Sequence, residues 1–177
     1  MKLQFTPLVE NQHLVPAGIY RLTEMLAPEQ HAQIGVAEID PAFADGLLLS
    51  KEYDVPLEME LNCLAVEGVR NEQKRYAALV LPYGKRANTG SVVKQLLNAK
   101  KVSFAPLDFV MQATDMEFGS ITPLGLPDDW LVLVDSSLVD RDQVIIGGGL
   151  VQSKIMLPTE LLLSLPNVQM VEGLAKK

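Results

Sequence analysis

The stretch Gly119-Ser-Ile-Thr-Pro-Leu-Gly-Leu-Pro127 is followed by an apolar run that ends at Asp135 and then by Ile145-Ile-Gly-Gly-Gly149. Two glycine-containing loops thus lie next to strand-like runs. Glycine permits positive φ and has no Cβ, so such loops can bring backbone N–H groups close to a ligand. A simpler interpretation is that the first loop only shapes a turn and the second only a bulge or hairpin. The pattern predicts either a binding site made of backbone or two tight turns.

Outward from these loops, short strands and helices alternate without a regular βαβ repeat. Apolar periodicity and capping residues predict helices at 17–27, 41–53, 90–98, 106–114 and 158–164. Short β-branched runs predict strands at 34–39, 61–66, 76–81, 101–104, 130–134, 142–146, 153–157 and near 168. This order predicts an α/β (α+β) single domain with a mixed, barrel-like sheet of six or more strands, not a Rossmann fold.

Two boundaries depend on single residues. Asp40-Pro41 is a favourable cap and first-turn pair, so the second helix is predicted to start there and to run to Tyr53. A polar stretch that contains Gly68 and Asn71 separates two β-rich runs, which predicts a hairpin with its turn in that stretch. Residues 1–16 are predicted to be extended.

Length and composition limit the class of protein. A chain of 177 residues with 48% hydrophobic content can bury one core, so one domain is expected. Within it, residues 1–33 are interpreted as an N-terminal extension and helix, and residues 34–177 as the main domain. No apolar run approaches the length of about 20 residues that crosses a bilayer. We therefore expect a cytoplasmic protein without a membrane partner.

The sequence offers few metal ligands or nucleophiles. Cys63 is the only cysteine, so no internal disulfide can form, and a lone thiol in a strand is usually a small core residue. His13 and His31 are far apart and have no cysteine partners. Ser120 has no histidine near it in the sequence, which argues against a Ser-His triad. We expect no metal and no cofactor.

The charge is unevenly distributed. The chain carries −7 overall, but residues 70–101 contain eight basic residues and one acidic residue, Glu72, which gives this segment +7 and leaves −14 for the rest. Such asymmetry fits a polyanion docking on one face; a solvated surface fits it equally well. The residues predicted to contact the phosphates of such a polyanion are Lys85, Arg86, Lys100 and Lys101.

Several segments in order resemble the YbaK/EbsC family, which is also called the prolyl-tRNA synthetase associated domain. They span about residues 34 to 174 and include Val55-Pro-Leu-Glu58, Asn62-Cys-Leu64, Val92-Val-Lys-Gln-Leu-Leu97, Lys101-Val-Ser-Phe-Ala105, the 119–127 stretch, Val134-Asp135, Gly147-Gly-Gly149 and Val171-Glu-Gly-Leu174. The family comprises editing deacylases that hydrolyse wrongly charged aminoacyl-tRNA. The combination is specific, whereas no single segment would suffice.

The resemblance implies a pocket roofed by the loop from Gly119 to Pro123 that receives the 3′ aminoacyl-adenosine of a mischarged tRNA. Consecutive loop amides can stabilise the oxyanion of ester hydrolysis without a titratable group. The candidate catalytic residues are Asn62, Gly119, Ser120, Ile121, Thr122 and Lys154. The candidate substrate-binding residues are Pro123, Asp135, Gly147, Gly148 and Gly149. A homodimer is left open.

One departure from the family affects the chemistry. Its deacylases carry a lysine on the strand before the hairpin, and the matching position here is Asn62. Asparagine can hydrogen-bond a carbonyl or ribose hydroxyl but supplies no positive charge. Lys154, after the triple glycine, is the candidate replacement, although a solvent-facing lysine is the commoner outcome. Asp135 could shape the pocket wall or cap the turn at Ser136.

Two classes of function remain open. The first is an aminoacyl-tRNA deacylase. The second is a weak or inactive module that binds tRNA ends, nucleotides or a protein. A purely structural protein fits the composition but leaves the 119–127 stretch and the +7 segment unexplained. Convergence of the Asn62 side chain and the loop amides on one cavity would favour the first two classes.

Overall fold

The computed structural model describes residues 2–176, so residues 1 and 177, the ends of the predicted extension and main domain, lie outside the described residues. The strands are β1 (Thr6–Pro7), β2 (Gly35–Glu38), β3 (Leu61–Arg70), β4 (Gln73–Pro82), β5 (Lys101–Phe104), β6 (Leu131–Asp135), β7 (Gln143–Gly147), β8 (Ser153–Pro158) and β9 (Val168–Val171). The α-helices are α1 (Ala17–Glu24), α2 (Pro28–His31), α3 (Gly46–Tyr53), α4 (Ser91–Leu96), α5 (Leu107–Thr114) and α6 (Thr159–Ser164).

The strands form two sheets. One sheet has the order β1-β2-β8-β7 and is antiparallel throughout. The other has the order β5-β3-β4-β6-β9, in which β6 runs parallel to both β4 and β9. The predicted mixed α/β class is therefore confirmed, whereas the predicted sheet of six or more strands is divided into one sheet of four strands and one of five in the described chain. No helix within residues 2–176 combines the length and apolarity needed to cross a bilayer.

The sheets meet at the residue that precedes β3. Glu60 forms an isolated parallel bridge with Ile145 of β7. The largest apolar cluster lies between the sheets, since it joins Val36 and Ile155 of the first sheet to Val80 and Val134 of the second. Because alternate strand residues face opposite ways, Leu79 and Leu133 pack instead against α4 on the outer face of the second sheet.

The N-terminal segment is part of the same core. β1 pairs with β2, and Leu8, Leu14 and Ile19 belong to the cluster between the sheets. The segment predicted as fully extended also contains 3-10 turns at Leu8–Glu10 and Gln12–Leu14. The predicted helix at 17–27 ends earlier, at Glu24.

The second predicted helix starts later than expected. Asp40 caps only a 3-10 turn, Pro41–Phe43, through the amide of Ala42. The α-helix starts at Gly46, where the Asp45 carboxylate accepts hydrogen bonds from the amides of Leu47 and Leu48 at 3.0 and 3.4 Å. A cap therefore occurs at both aspartates, and only the second is followed by α-helix.

The hairpin is longer than predicted. Its turn is Asn71–Glu72, both with positive φ (50° and 68°), which matches the twist that short hairpin turns prefer. Gly68 lies within β3 and not in the turn, opposite Arg75. A Cβ at this position would stand 2.8 Å from the Ala99 Cβ, so Gly68 allows the chain after α4 to pack closely on the strand.

Candidate functional site

A cavity of about 520 Å³ opens at the junction of the two sheets. We call it the junction cavity. Its lining comes from the start of α3, the first half of β3, the end of β5, α5, the loop after α5, and the facing ends of β7 and β8. The lining residues are Ala44, Asp45, Gly46, Glu60, Leu61, Asn62, Cys63, Leu64, Ala65, Phe104, Ala105, Leu107, Val110, Phe118, Gly119, Ile121, Gly147 and Lys154.

Five of the predicted site residues meet at this cavity although they come from four separate parts of the sequence. They are Asn62, Gly119, Ile121, Gly147 and Lys154. Asn62 lies at the second position of β3, opposite Leu81 of β4. Lys154 lies on β8, paired with Ala37 on one side and Gly147 on the other. Asn62 and part of the 119–123 loop therefore converge on one cavity.

The amides of the 119–123 loop are used unequally. Gly119 has φ +88°, a conformation in which a residue with a Cβ would be strained. The Ser120 amide donates to the Glu117 carbonyl at 3.0 Å and is thereby engaged. Within residues 2–176, the amides of Gly119 and Ile121 donate to no backbone or side-chain acceptor. These two N–H groups therefore have no protein acceptor, and both residues line the junction cavity.

Gly147 holds the loop close to β7. A Cβ at Gly147 would stand 2.9 Å from the Ser120 carbonyl oxygen, a distance that real Cβ atoms avoid. The Gly149 amide ties the same loop by donating to the Ser120 carbonyl, whereas the Gly148 amide donates to the carbonyl of Ser153, the first residue of β8. The triple glycine thus positions the loop, and only its first member lines the cavity.

A buried ion pair lies in the wall of the junction cavity. The Lys154 Nζ stands 3.8 Å from the Glu60 Oε2, and only 7% and 1% of the two side chains are exposed. The Glu60 Oε1 is buried and has no hydrogen-bond partner among the described residues. Lys154 is the basic residue among those that line the cavity, and its role as a replacement for the charge missing at Asn62 stays a prediction.

Burial governs the protonation of both partners. Desolvation raises the pKa of Glu60 to about 7, and the nearby Lys154 ammonium opposes that rise. Desolvation also lowers the pKa of Lys154 from its ordinary value, while Glu60 and Asp45 act in the opposite direction. Removing charges from water disfavours the ionised form of each group. The carboxyl of Glu60 can therefore gain or lose a proton near neutral pH.

Glu60 was not identified from the sequence. Its partner lies 94 positions away along the chain, so no local motif contains the pair. One signal was present, because Glu60 precedes Asn62 by two residues. Residues two apart on an extended chain point to the same side. A glutamate on the predicted pocket side of the strand was therefore visible before the structure.

Asp45 also lines the junction cavity, but its carboxylate is occupied. Besides capping α3, it accepts hydrogen bonds from the Tyr83 hydroxyl at 3.0 and 3.1 Å. Desolvation and this bond raise the pKa of Tyr83. Gly46 makes the contact possible, since a Cβ there would stand 2.6 Å from the Tyr83 ring. Asp45 thus fixes one rim of the cavity.

The candidate nucleophiles are not activated. Burial raises the pKa of the Cys63 thiol to about 12, so the reactive thiolate is scarce at neutral pH. The Ser120 hydroxyl donates to the Leu150 carbonyl at 2.9 Å and lies behind the cavity wall. The cavity-lining residues include neither His13 nor His31. These environments argue against a covalent intermediate on the protein.

The other predicted site residues lie away from the junction cavity. Thr122 is fully buried, and its hydroxyl has no partner among the described residues. Pro123 lines a second cavity of about 490 Å³ beside Trp130. Asp135 caps the 3-10 turn after β6 by accepting from the Ser137 amide, and it also accepts from the Ala175 amide at 2.8 Å. This supports the capping interpretation of Asp135.

Two exposed aromatic rings stand at the mouth of the junction cavity. Phe104, at the end of β5, is 70% exposed and Phe118 is 71% exposed. Exposed phenylalanines of this degree on the edge of a cavity offer flat surfaces on which nucleic-acid bases can stack. They were not singled out from the sequence because they lie 14 residues apart and outside any aromatic cluster.

The four predicted tRNA-contacting residues fall into two pairs. Lys101 is opposite Val69, near the hairpin turn, and Lys100 precedes it. Lys85 and Arg86 follow β4, whose last residue is opposite Leu61. Leu61 and Val69 are roughly 27 Å apart at about 3.4 Å per residue. The two basic pairs therefore lie toward opposite ends of β3, and the cavity-lining part of β3 lies between them.

The described chain offers no evident metal centre. Within residues 2–176, no three side chains of the His, Cys, Asp and Glu types come together in a way that could hold a metal ion. The polar groups of the junction cavity are instead the Glu60–Lys154 pair, the Asp45 carboxylate, the Asn62 amide and backbone N–H groups. These groups can stabilise an oxyanion and exchange a proton.

Solved structures share this fold. A structure described as a proposed trans-editing enzyme for prolyl tRNA synthetase superposes with a TM-score of 0.72 at 15% identity, over 92% of this chain and 99% of the other. A hypothetical protein superposes with a TM-score of 0.70 at 20% identity, over 84% and 95%. A scaffold from computational epitope grafting superposes with a TM-score of 0.73 at 15% identity, over 92% of this chain and 99% of the other. At these identities the likeness concerns the fold. No curated protein matches the sequence.

The sequence also matches a family model. The aminoacyl-tRNA editing domain model covers residues 48–165, which is more than half of the chain. The matched range contains most of α3, the β3–β4 hairpin, the 119–127 stretch and the Glu60–Lys154 pair, and therefore the greater part of the junction cavity. The family resemblance in the sequence is confirmed, and the chain belongs to the aminoacyl-tRNA editing domain family.

Proposed function

We propose that the protein is a trans-editing deacylase that hydrolyses the ester bond of mischarged aminoacyl-tRNA in the junction cavity. The observation that carries this proposal is the convergence of the free Gly119 and Ile121 amides with Lys154 on one cavity. Ester hydrolysis builds negative charge on the carbonyl oxygen, and preorganised N–H donors and a cation stabilise that charge.

The roles follow from position. The Gly119 and Ile121 amides hold the ester oxyanion, and the Lys154 ammonium stabilises it electrostatically. Asn62 hydrogen-bonds the ribose or the aminoacyl group, since its amide can both donate and accept. In this scheme Lys154 supplies from β8 the charge that related deacylases place on β3. Ser120 and Gly147 support the loop without touching the reacting atoms.

The mouth of the cavity supports a tRNA acceptor end as the substrate. The unpaired 3′ nucleotides present bases and phosphates, which need stacking surfaces and positive charge. Phe104 and Phe118 supply stacking surfaces at the mouth. The Lys85–Arg86 and Lys100–Lys101 pairs supply positive charge toward the two ends of β3.

The direct test is deacylation of a panel of mischarged tRNAs by the purified protein. The panel includes proline tRNA carrying amino acids of different sizes, because one structural neighbour is described as acting for prolyl tRNA synthetase. We expect faster ester hydrolysis than in buffer for at least one member and little on correctly charged tRNA. Hydrolysis of none would contradict the proposal.

A binding module is the second candidate, favoured by Asn62 at the position of the family lysine. Such a module would use the same cavity to hold a tRNA end, a nucleotide or a protein segment. It predicts saturable binding of the mischarged tRNA without release of the amino acid. The panel separates the two functions when binding is measured in parallel.

The basic pairs give a further prediction. Changing Lys85, Arg86, Lys100 and Lys101 together to alanine should weaken tRNA binding and reduce the slope of log affinity against log salt by about 3, since each phosphate contact to a single strand contributes about 0.7. Each pair alone should produce about half of this change. Binding is measured by filter retention at several salt concentrations.

The matched control changes Lys2 and Arg21 to alanine, because both are basic but lie outside the 70–101 segment. This variant should keep the slope of the parent. If the variant with all four alanine substitutions also keeps the slope of the parent, the two basic pairs are only a solvated surface.

A further inference from the structure

Glu60 is the polar group of the junction cavity that the proposed function leaves without a task. Its carboxylate is buried, its Oε1 has no partner among the described residues, and its Oε2 lies 3.8 Å from the Lys154 Nζ. That separation is longer than a charge-assisted hydrogen bond. A buried carboxylate with an unsatisfied oxygen costs free energy. This oxygen is closed to solvent, but Glu60 lines the junction cavity. A water or substrate group there satisfies the oxygen when the side chain turns toward the cavity.

The proposed hydrolysis also lacks a group that moves protons. Amides and an ammonium can stabilise an oxyanion, but neither can accept the proton of an attacking water. The Cys63 thiol is held protonated by burial, the Ser120 hydroxyl is bonded behind the wall, and the histidines do not line the cavity. Asp45 is bound to the α3 amides and to Tyr83. Glu60 is thus the carboxylate in this cavity with a free oxygen.

We propose that Glu60 is the general base that activates the hydrolytic water, with its free Oε1 facing the water and Lys154 facing the ester carbonyl. This inference rests on the proposed deacylase function. Glu60 takes a proton from the water as the water oxygen bonds to the ester carbonyl carbon. The tetrahedral intermediate then collapses, the bond to the ribose oxygen breaks, and protonated Glu60 returns the proton to that oxygen. The products are the free amino acid and deacylated tRNA.

The surroundings of Glu60 suit this role. Burial raises its pKa to about 7, while Lys154 of β8 lowers it and Asp45 before α3 raises it. The Glu60 charge also contributes to the raised pKa of Tyr83, which follows β4. A base works best when its pKa lies near the working pH. Because only the deprotonated form accepts a proton, kcat should fall as the pH drops through about 7.

The test compares the parent with Glu60→Gln over about pH 5.5 to 9 on a mischarged tRNA. General-base catalysis contributes about 10²- to 10⁴-fold, so Glu60→Gln should lower kcat by such a factor with a small change in KM. The residual rate of this variant should no longer fall as the pH drops below neutral. Glu60→Asp should recover part of the rate. Exposed Glu58→Gln is the matched control and should behave as the parent.

The outcomes separate the two proposals. An active parent with the same kcat and pH profile in Glu60→Gln overturns the role of Glu60 and leaves the deacylase function standing. A parent inactive on the whole panel overturns both. If Glu60→Gln does not fold, the pH profile of the parent decides, since a kcat that is flat between about pH 5.5 and 8.5 contradicts a base of this kind.

Discussion

Changing Lys154 to methionine is expected to lower kcat/KM on a mischarged tRNA by about two to three orders of magnitude. Loss of one preorganised oxyanion contact costs about this much in other enzymes. Lys154 is the cation that lines the junction cavity in the described chain, so no neighbouring charge can take over. Methionine retains most of the length of the side chain and fits a buried position. The rate is measured by release of labelled amino acid.

The same variant should also change the pH dependence. The Lys154 charge lowers the pKa of Glu60, so its removal raises that pKa above about 7. The acidic limb of the rate profile should therefore move to higher pH. If the rate falls at all pH values but the acidic limb does not move, Lys154 stabilises the oxyanion without changing the pKa of Glu60.

Two further variants make the result specific. Lys51→Met introduces the same chemical change at an exposed position of α3 and should leave the rate unchanged. Asn62→Lys in the Lys154→Met background returns a positive charge to the same cavity from β3, where the family carries it. We expect this double variant to recover at least about tenfold of the lost rate. A Lys154→Met protein within about threefold of the parent would show that the charge is not used.

Changing Gly125 to alanine is expected to destabilise the protein by about 3 to 5 kcal/mol. Gly125 has φ +71°, and a Cβ there would stand 2.6 Å from the backbone carbon of Gly18 and the backbone nitrogen of Ile19. These atoms belong to the start of α1, whose Ile19 is fully buried. Relief of the clash requires the loop and the helix to separate. The change is measured by urea unfolding.

Gly84→Ala is the matched control for the backbone conformation. Gly84 has φ +83°, but apart from its neighbours in the chain no described residue has a heavy atom within 4 Å of the point that an alanine methyl group would occupy. It should lose only about 1 to 2 kcal/mol, the cost of a left-handed conformation with a Cβ. The difference between the two variants measures the close approach of the loop to α1. Equal losses would mean that a small shift relieves the contact.

The sequence was most informative where local residues determine local structure. Apolar periodicity located α4, α5 and α6 to within one or two residues, and the β-rich runs located every strand from β2 to β9. The glycine loops indicated backbone groups at a site, and two of the loop residues with free amides do line the junction cavity. These inferences needed only neighbours in the chain, which one sequence contains.

The features that the sequence did not reveal depend on distant partners. Asp45 and not Asp40 caps the α-helix. The Tyr83 hydroxyl, which lies 38 positions away in the chain, donates a hydrogen bond to Asp45. Gly68 lies in a strand that pairs with β4 and β5, where Ala99 and Leu97 leave no room for a Cβ. Glu60 acquires its altered pKa only in the fold, where burial raises it and β8 brings Lys154 alongside. Each depends on tertiary contact, which periodicity does not encode.

The junction cavity has two walls of different construction. Glu60, Asn62, Gly147 and Lys154 come from strands or from the residue that enters one, and β8 is paired on both sides. The opposite wall is built from the end of an edge strand, a helix and a loop, with Leu107 and Phe118 open to solvent. Strands paired on both sides tolerate little change, whereas loops and exposed apolar positions accept substitution readily. Selection for a different amino acid could therefore act on Leu107 and Phe118 while the loop glycine Gly119 and the Glu60–Lys154 pair stay unchanged, so that substrate choice and the proposed chemistry can change separately in this scaffold.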